Sequence, residues 1–422
     1  MANNLKRLDL KSFGKPARLA LYAFAIIFSL STIKLLTGAS DLTSIGTASS
    51  ALLLSVPIAM AALGGLFSER SGVVNIGLEG MMIMGAWGGG FIGAKHGAVA
   101  GLVAGVVMGA LGALLHAIAT VGFGVDHVVS GVAINIIAAG LARYLSTILY
   151  KNGTWVGPSQ SPDIEPIGLN GLPILSGGTY FGWKSPDLFG SIAEKNWFLI
   201  SDTFAILRGL TGDVSYVTVF AIALVPFSYW FLWHTAFGLR LRSAGEAPTA
   251  AESLGVNVYL MKYSGVLISG GFAGFGGAFL AIVASNHYQE NQTGGRGYIG
   301  LAALIFGNWR PGGLMTGAGL FGFADALQLR DATAIHALLM LLAVAMLAFA
   351  FINLRKRKYV SVLISLATAA FAIWLYVTFT ELPGQFVTMT PYLVTLLVLG
   401  LGTQRLRMPA ADGLPYRRGG NK

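Results

Sequence analysis

The stretch SERSGVVNIGLEGMMIMGAW, Ser68 to Trp87, lies in one of the most apolar parts of the chain, yet it carries Glu69, Arg70, Asn75 and Glu79 together with Gly72, Gly77, Gly80 and Gly85. Asn75 and Glu79 are four residues apart and share a helix face. An ionised acidic side chain in the middle of a bilayer costs about 2.5–3.5 kcal/mol on insertion scales. Glu79 is therefore expected near an interface, paired, protonated, or facing a wet cavity. Glu69 and Arg70 are expected at the inner membrane boundary, where they cost little. Ser71 or Gly72 is expected to cap a helix beginning near Val73, whose free N–H groups could meet a polar partner.

The surrounding composition explains why such residues need a reason to be there. The chain has 422 residues, of which 55% are hydrophobic and 11% charged, with a mean hydropathy of +0.68; soluble domains carry about 25% charged residues. Apolar stretches at 19–38, 45–67, 97–121, 127–150, 216–235, 263–285, 332–354 and 359–380 approach or exceed the roughly 20 residues needed to cross a bilayer as a helix. The alternation of an outer-membrane barrel is absent. The sequence thus predicts an all-α polytopic membrane protein with about 10–12 transmembrane helices. The apolar stretch at 19–33 follows a basic start, but Lys34 interrupts it and no small-residue cleavage site follows, so it is read as an uncleaved first helix. The lack of cysteine excludes disulfides, thiolate metal sites and cysteine nucleophiles.

A formal net charge of +10 invites a nucleic-acid reading, but the basic residues are placed otherwise. Lys6, Arg7, Lys11, Lys15 and Arg18 precede the first span, and Arg240, Arg242 and Lys262 lie in the loop 236–262. The run RKRK fills 355–358, and Arg405, Arg407, Arg417, Arg418 and Lys422 follow the last span. Lys and Arg beside membrane segments mark the cytoplasmic side. This predicts a multi-pass membrane protein, with cytoplasmic basic termini at 1–18 and 405–422, a membrane region over 19–404, a cytoplasmic loop at 236–262 and an extracytoplasmic insertion at 151–215. It predicts a lipid partner and no nucleic acid.

Two regions are Gly-rich, polar and interrupted: 70–95 after the 45–67 helix, and 291–325 after the 263–285 helix. The second includes the sequence NWRPGG. Broken segments in corresponding places suggest two pseudo-repeated halves with broken or re-entrant segments and a transport path between them. Asn75 and Glu79 are the candidate substrate-path residues. Gly101, Gly105 and Gly109, and likewise Gly270, Gly274 and Gly277, are expected to let helices approach closely. No phosphate-binding GxxxxGK[ST] occurs. His116, Asp126 and His127 lack a third ligand at helical spacing, so no metal and no catalytic group is expected. In the loop GLRLRSAGEAPTAAESLGVNV, 238–258, Pro248 favours a helix start and Gly255 a helix stop. A short helix over about 247–254, suited to docking in a partner's groove, is expected there.

These residues carry a family resemblance. The block 69–87 resembles the signature of ABC-importer permease subunits of the simple-sugar, nucleoside and branched-chain amino acid group. The block 238–258 is similar to that group's coupling loop, with Ala250, Ala251 and Gly255 at the Ala-Ala-three-residues-Gly positions and Thr249 where more distant permeases often have Glu. The block GRGYIGLAALIFGNWRPGG, 295–313, is similar to a third shared segment. Within the group, SERSGVVNIGLEGMM looks most like nucleoside permeases. The resemblance implies a coupling loop that includes Gly238, Arg240, Arg242, Gly245, Glu246, Ala250, Ala251 and Gly255. It implies a second permease subunit, an ATP-binding subunit with two nucleotide-binding domains, and an extracytoplasmic substrate-binding lipoprotein. No cofactor is expected in this chain, since ATP and Mg would sit in the partner. A ribose-like sugar or a branched-chain amino acid is the nearest alternative cargo. An ion-coupled secondary transporter working through Glu79 and Arg143 is the alternative from another class, and a scaffold membrane protein a third.

Overall fold

The computed structural model describes residues 14–149, 159–180, 182–330, 332–379, 384–401 and 406–419. Lys6, Arg7, Lys11, Arg405 and Lys422 of the expected charge pattern lie outside the described residues. In chain order the helices are α1 (Lys15–Thr37), α2 (Ile45–Arg70), α3 (Leu78–His96), α4 (Ala98–Ala117), α5 (His127–Leu149), α6 (Leu188–Ala193), α7 (Ile200–Thr211), α8 (Tyr216–His234), α9 (Ala236–Glu246), α10 (Pro248–Ser253), α11 (Val258–Phe279), α12 (Arg296–Phe306), α13 (Pro311–Arg330), α14 (Ala332–Arg355), α15 (Tyr359–Thr378) and α16 (Gly384–Leu401). Among the described residues, strands are confined to two-residue ladders in 169–215. Among the described residues, eight helices are long and apolar enough to cross a membrane, and the protein is an all-α polytopic membrane protein.

The chain divides into two compact units. The smaller draws on residues up to Ser49, on Gly171–Gly212 and on Leu327–Thr388. Here α14 and α15 form a hairpin, closed by His336, whose Nε2 lies 2.9 Å from the Tyr376 carbonyl. The outer face of α15 exposes Val360, Leu363, Phe371, Trp374 and Val377, as expected of a surface solvated by lipid. Part of the long insertion belongs to this unit. Asp202 of α7 accepts hydrogen bonds from Lys34 Nζ at 2.7 Å and Thr43 Oγ1 at 2.6 Å. Burial pushes the Asp202 carboxyl up, but these hydrogen bonds outweigh it and hold the group below its ordinary value. Lys34, which interrupts the first apolar stretch, is thereby paired by the insertion.

The larger unit comprises Ser50–Asn170, Asp213–Ala326 and Met389 onward. Its centre is α3, α4 and α11 packed on one another, with α2 buried along most of its length. Glycine permits this. A Cβ on Gly109 would stand 2.6 Å from the Gly274 Cα, and one on Gly101 2.8 Å from the Gly93 Cα. Both glycine runs are close-packing surfaces, where backbone meets backbone without intervening side chains.

Several helix boundaries depart from the sequence expectation. α2 runs on to Arg70 and ends in a Schellman motif: the Gly72 N–H donates to the Glu69 carbonyl (2.8 Å) and the Val73 N–H to the Ser68 carbonyl (3.1 Å). Gly72, at φ +83°, supplies the left-handed residue this stop requires. It closes one helix and does not open the next; α3 begins at Leu78 with Gly77 as its cap. α11 begins at Val258, where the Asn257 side chain accepts from the Leu260 N–H at 3.0 Å, so Lys262 belongs to that helix and not to a loop. The short α10 spans Pro248–Ser253, and Gly255 (φ +80°) follows it.

Candidate functional site

Both interruptions lie in the larger unit, and the charged residues of the first hold the second. Glu79 sits in the first turn of α3 with 6% of its surface exposed. Its Oε1 accepts from Thr293 Oγ1 at 2.6 Å and from the Gly295 N–H at 3.0 Å, and its Oε2 from the Gly297 N–H at 2.7 Å. A carboxylate is thus placed at the N-termini of α3 and α12 together, where both helix dipoles favour negative charge and two of α12's terminal N–H groups find an acceptor. Gly297 has no room for more: a Cβ there would stand 2.6 Å from the Glu79 Cα. Arg296 completes the entry to α12. It donates to Asp325 Oδ2 through Nε at 3.0 Å and through Nη2 at 2.5 Å.

At the other end of α12 the chain turns through Asn308 and Trp309, both at positive φ (+52° and +53°). Left-handed backbone in two successive non-glycine residues is costly and persists only where its surroundings fix it. They do. The Trp309 indole N–H donates to Glu69 Oε2, and the Trp309 carbonyl accepts from Arg70 Nη2 at 2.9 Å. Glu69–Arg70 and Glu79 therefore grip α12 at its two ends.

Asn75 is fully buried. Its Nδ2 donates to Ser269 Oγ at 2.9 Å, and its Oδ1 accepts from the Gly77 N–H at 3.1 Å, as in an Asx turn. Both ends of the amide are used to shape residues 71–77. Asn135 of α5 was not among the sequence candidates. It accepts from the Gly80 N–H at 2.7 Å and donates to the Ile76 carbonyl (3.0 Å) and to Tyr298 Oη (2.9 Å). The Tyr298 side chain leaves 47% of the residue's surface open, with the hydroxyl proton not consumed by Asn135. His116 has Ser130 Oγ 2.8 Å from Nδ1 and the Val74 carbonyl 3.1 Å from Nε2, and His127 Nδ1 accepts from the Val74 N–H at 3.2 Å. The two histidines serve the same turn. Arg143 is paired with Glu290 at 3.7 Å.

The loop 236–262 is mostly helical. α9 is capped by Thr235, whose Oγ1 accepts from the Gly238 N–H at 3.1 Å. A Cβ on Gly238 would stand 2.6 Å from the Leu232 Cα, so the α8–α9 bend needs glycine there. Arg242 Nε donates to the Leu232 carbonyl at 2.9 Å, and its guanidinium stacks on Trp233 at 5.4 Å. A Cβ on Gly245 would lie 2.9 Å from both the Arg70 carbonyl carbon and Gly72 N, which brings α9 against the first interruption. Glu246 pairs with Arg70 at 3.5 Å. On α10, Ala251 is buried while Ala250 faces out, and Leu254 just beyond is 85% exposed. Arg240 and Gly255 are also exposed.

Residues 47–351 match the family model described as branched-chain amino acid transport system / permease component. The chain is 35% identical over 382 residues to the guanosine ABC transporter permease protein NupQ of Bacillus subtilis, covering 87% of this chain and 95% of that one. It is 32% identical over 372 residues to the nucleoside ABC transporter permease protein NupC of Lactococcus lactis, covering 86% and 94%. To the putative glucose ABC transporter permease protein TsgC13 of Haloferax volcanii it is 32% identical over 277 residues, covering 64% and 73%. No solved structure matches.

Proposed function

The chain belongs to the branched-chain amino acid transport system permease component family, and from that premise we propose that it moves nucleosides into the cell as the permease subunit of an ATP-driven importer. The observation that carries the coupling half of this reading is the α9–α10 elbow. One face of α10 is buried through Ala251 and seated by α9 on the turn at Gly72, while the other offers Ala250 and Leu254 outward. A short helix with an exposed apolar tip fits a groove of a partner subunit, and that partner would be an ATPase that supplies ATP and Mg. The nucleoside half is supported by the two relatives matched over most of this chain, which are named for guanosine and nucleosides. A second permease subunit and an extracytoplasmic binding protein would complete the assembly, with both termini of this chain cytoplasmic.

A nucleoside is neutral and amphipathic, so its path needs aromatic walls and a few hydrogen-bonding groups in place of a charge clamp. Tyr298 has that chemistry, with its hydroxyl oriented by Asn135 of α5; Glu79 holds the helix that presents Tyr298, and Asn75 shapes the turn that Asn135 bonds. An ion-coupled carrier would need Glu79 free to exchange a proton, whereas here both its oxygens accept hydrogen bonds from α12 and its approach. The test is uptake of labelled guanosine, adenosine, ribose and leucine in a strain lacking the gene, with and without the chain restored. Restored uptake of guanosine and adenosine, lost on ATP depletion, is expected. Restoration of ribose or leucine uptake alone would overturn the nucleoside assignment.

A further inference from the structure

Beyond α16 the described chain resumes at Leu406 and lies across the site. The Arg407 N–H donates to Asn308 Oδ1 at 2.7 Å, in the turn that ends α12. The Ala410 N–H donates to Glu246 Oε2 at 3.1 Å and the Ala411 N–H to the Gly245 carbonyl at 2.9 Å, both at the end of α9. The Tyr416 ring packs on Tyr259 at 5.3 Å, and Arg418 Nε reaches Glu252 of α10 at 3.2 Å. Between these points Asp412 enters the space beneath α2, where Glu69, Arg70 and Lys262 are its charged neighbours. Lys262 Nζ is held there by the Gly72 carbonyl at 3.0 Å. The segment thus touches four things at once: the elbow, α10, the Gly72 turn and the Asn308–Trp309 turn. Backbone N–H groups make three of these bonds, which fixes the path of the main chain and not just of a few side chains.

We propose that Leu406–Gly419 is a positioning strap for energy coupling, which locks α9 and α10 to the Gly72 turn and to the Asn308–Trp309 turn that ends α12. A push on α10 could be absorbed by rotation of the elbow at Ala247. With the strap in place, the elbow and the turns shift together, and displacement of α10 reaches Glu69 and Arg70. This rests on the proposed role of α10 in coupling. The strap is a means of transmission and has no contact with cargo.

The experiment uses the complete transporter reconstituted in vesicles, reading guanosine uptake and ATP hydrolysis in the same sample. Ala411→Pro removes the N–H that Gly245 accepts, and Ala411→Gly keeps it. Guanosine moved per ATP hydrolysed is expected to fall about fivefold in the proline variant, the scale of one lost backbone hydrogen bond, and to match the parent in the glycine variant. Should Ala411→Pro fail to assemble, charge exchange is the second arm. Arg418→Glu is expected to lower the ratio about twofold, the range of an exposed pair, and the double variant Arg418→Glu/Glu252→Arg to restore it. Equal ratios in the parent, Ala411→Pro and Arg418→Glu would overturn the strap. Absence of ATP-dependent uptake in the parent itself would instead overturn the underlying reading of the chain as a permease.

Discussion

The two interruptions in the larger unit are built in opposite ways. The first, residues 71–77, joins two full-length helices, and its side chains are buried and saturated: Asn75 bonds Ser269 and its own backbone, while His116 and His127 bond the main chain at Val74. The second isolates an eleven-residue helix, α12. What it brings to the contact is mostly main-chain groups and left-handed turns: the Gly295 and Gly297 N–H groups, the Trp309 carbonyl, and φ near +50° at Asn308 and Trp309. The first is therefore the grip and the second the gripped. A short helix held at its two ends by carboxylates is suited to shift as a unit with the turn that holds it.

Breaking the grip at its stronger end gives the largest expected effect. Glu79→Ala strands three donors at the entrance to α12. Each buried group left unpaired costs about 1–3 kcal/mol, so guanosine uptake at matched membrane levels is expected to fall well over tenfold. Glu79→Gln, which keeps one acceptor oxygen, is expected to fall less. If Glu79→Ala transports normally, Glu79 holds nothing. The other end is weaker. Trp309→Phe keeps an aromatic side chain, removes the donor to Glu69 and gives up part of the buried ring, and a loss of roughly threefold to tenfold is expected. A loss larger than that of Glu79→Ala would reverse the order of the two ends.

The smallest effect concerns the strap beneath the grip. Burial pushes the Asp412 carboxyl up from its ordinary 3.8 to about 7. Lys262, the hydrogen bond with Glu69, and Arg70 pull the other way. An acid whose pKa is raised in the docked state stabilises docking fully below its ordinary value, and that contribution is lost as pH rises towards about 7. The exchange protection of the Ala411 amide, corrected for intrinsic rate, is thus expected to fall between pH 5 and 7.5, and to fall less in Asp412→Asn. Protection that rises with pH would assign the opposite sign to Asp412.

Much of this was legible in the sequence, for local reasons. Pro248 and Gly255 bracket α10 because one favours a helix start and the other accepts φ +80°. The glycine runs at three- and four-residue spacing packed as their lack of side chains requires. Gly72 was misread as a helix opening, since a glycine beside Ser71 serves a stop as well as a start; the Val73-to-Ser68 hydrogen bond that decides between them is a property of the fold. Glu79 and Asn75 are read from the sequence as substrate-path candidates; the partners that hold them lie more than 190 positions away, beyond any periodicity. Asn135 and Tyr298 gave no signal, because one amide on an apolar helix and one aromatic in a membrane segment are ordinary. The strap gave none either, because its contacts are largely made by backbone N–H groups that every residue has.

The central claim is that the first interruption holds and the second lines the path. The natural lack of cysteine allows a direct test. In the assembled transporter, Tyr298→Cys and Asn75→Cys are each exposed to a membrane-permeant maleimide, with and without guanosine. The account predicts that the thiol at position 298 labels readily and is protected by guanosine, while the thiol at position 75 labels slowly whether or not guanosine is present. Rapid, guanosine-protected labelling at position 75 with indifference at position 298 would contradict it.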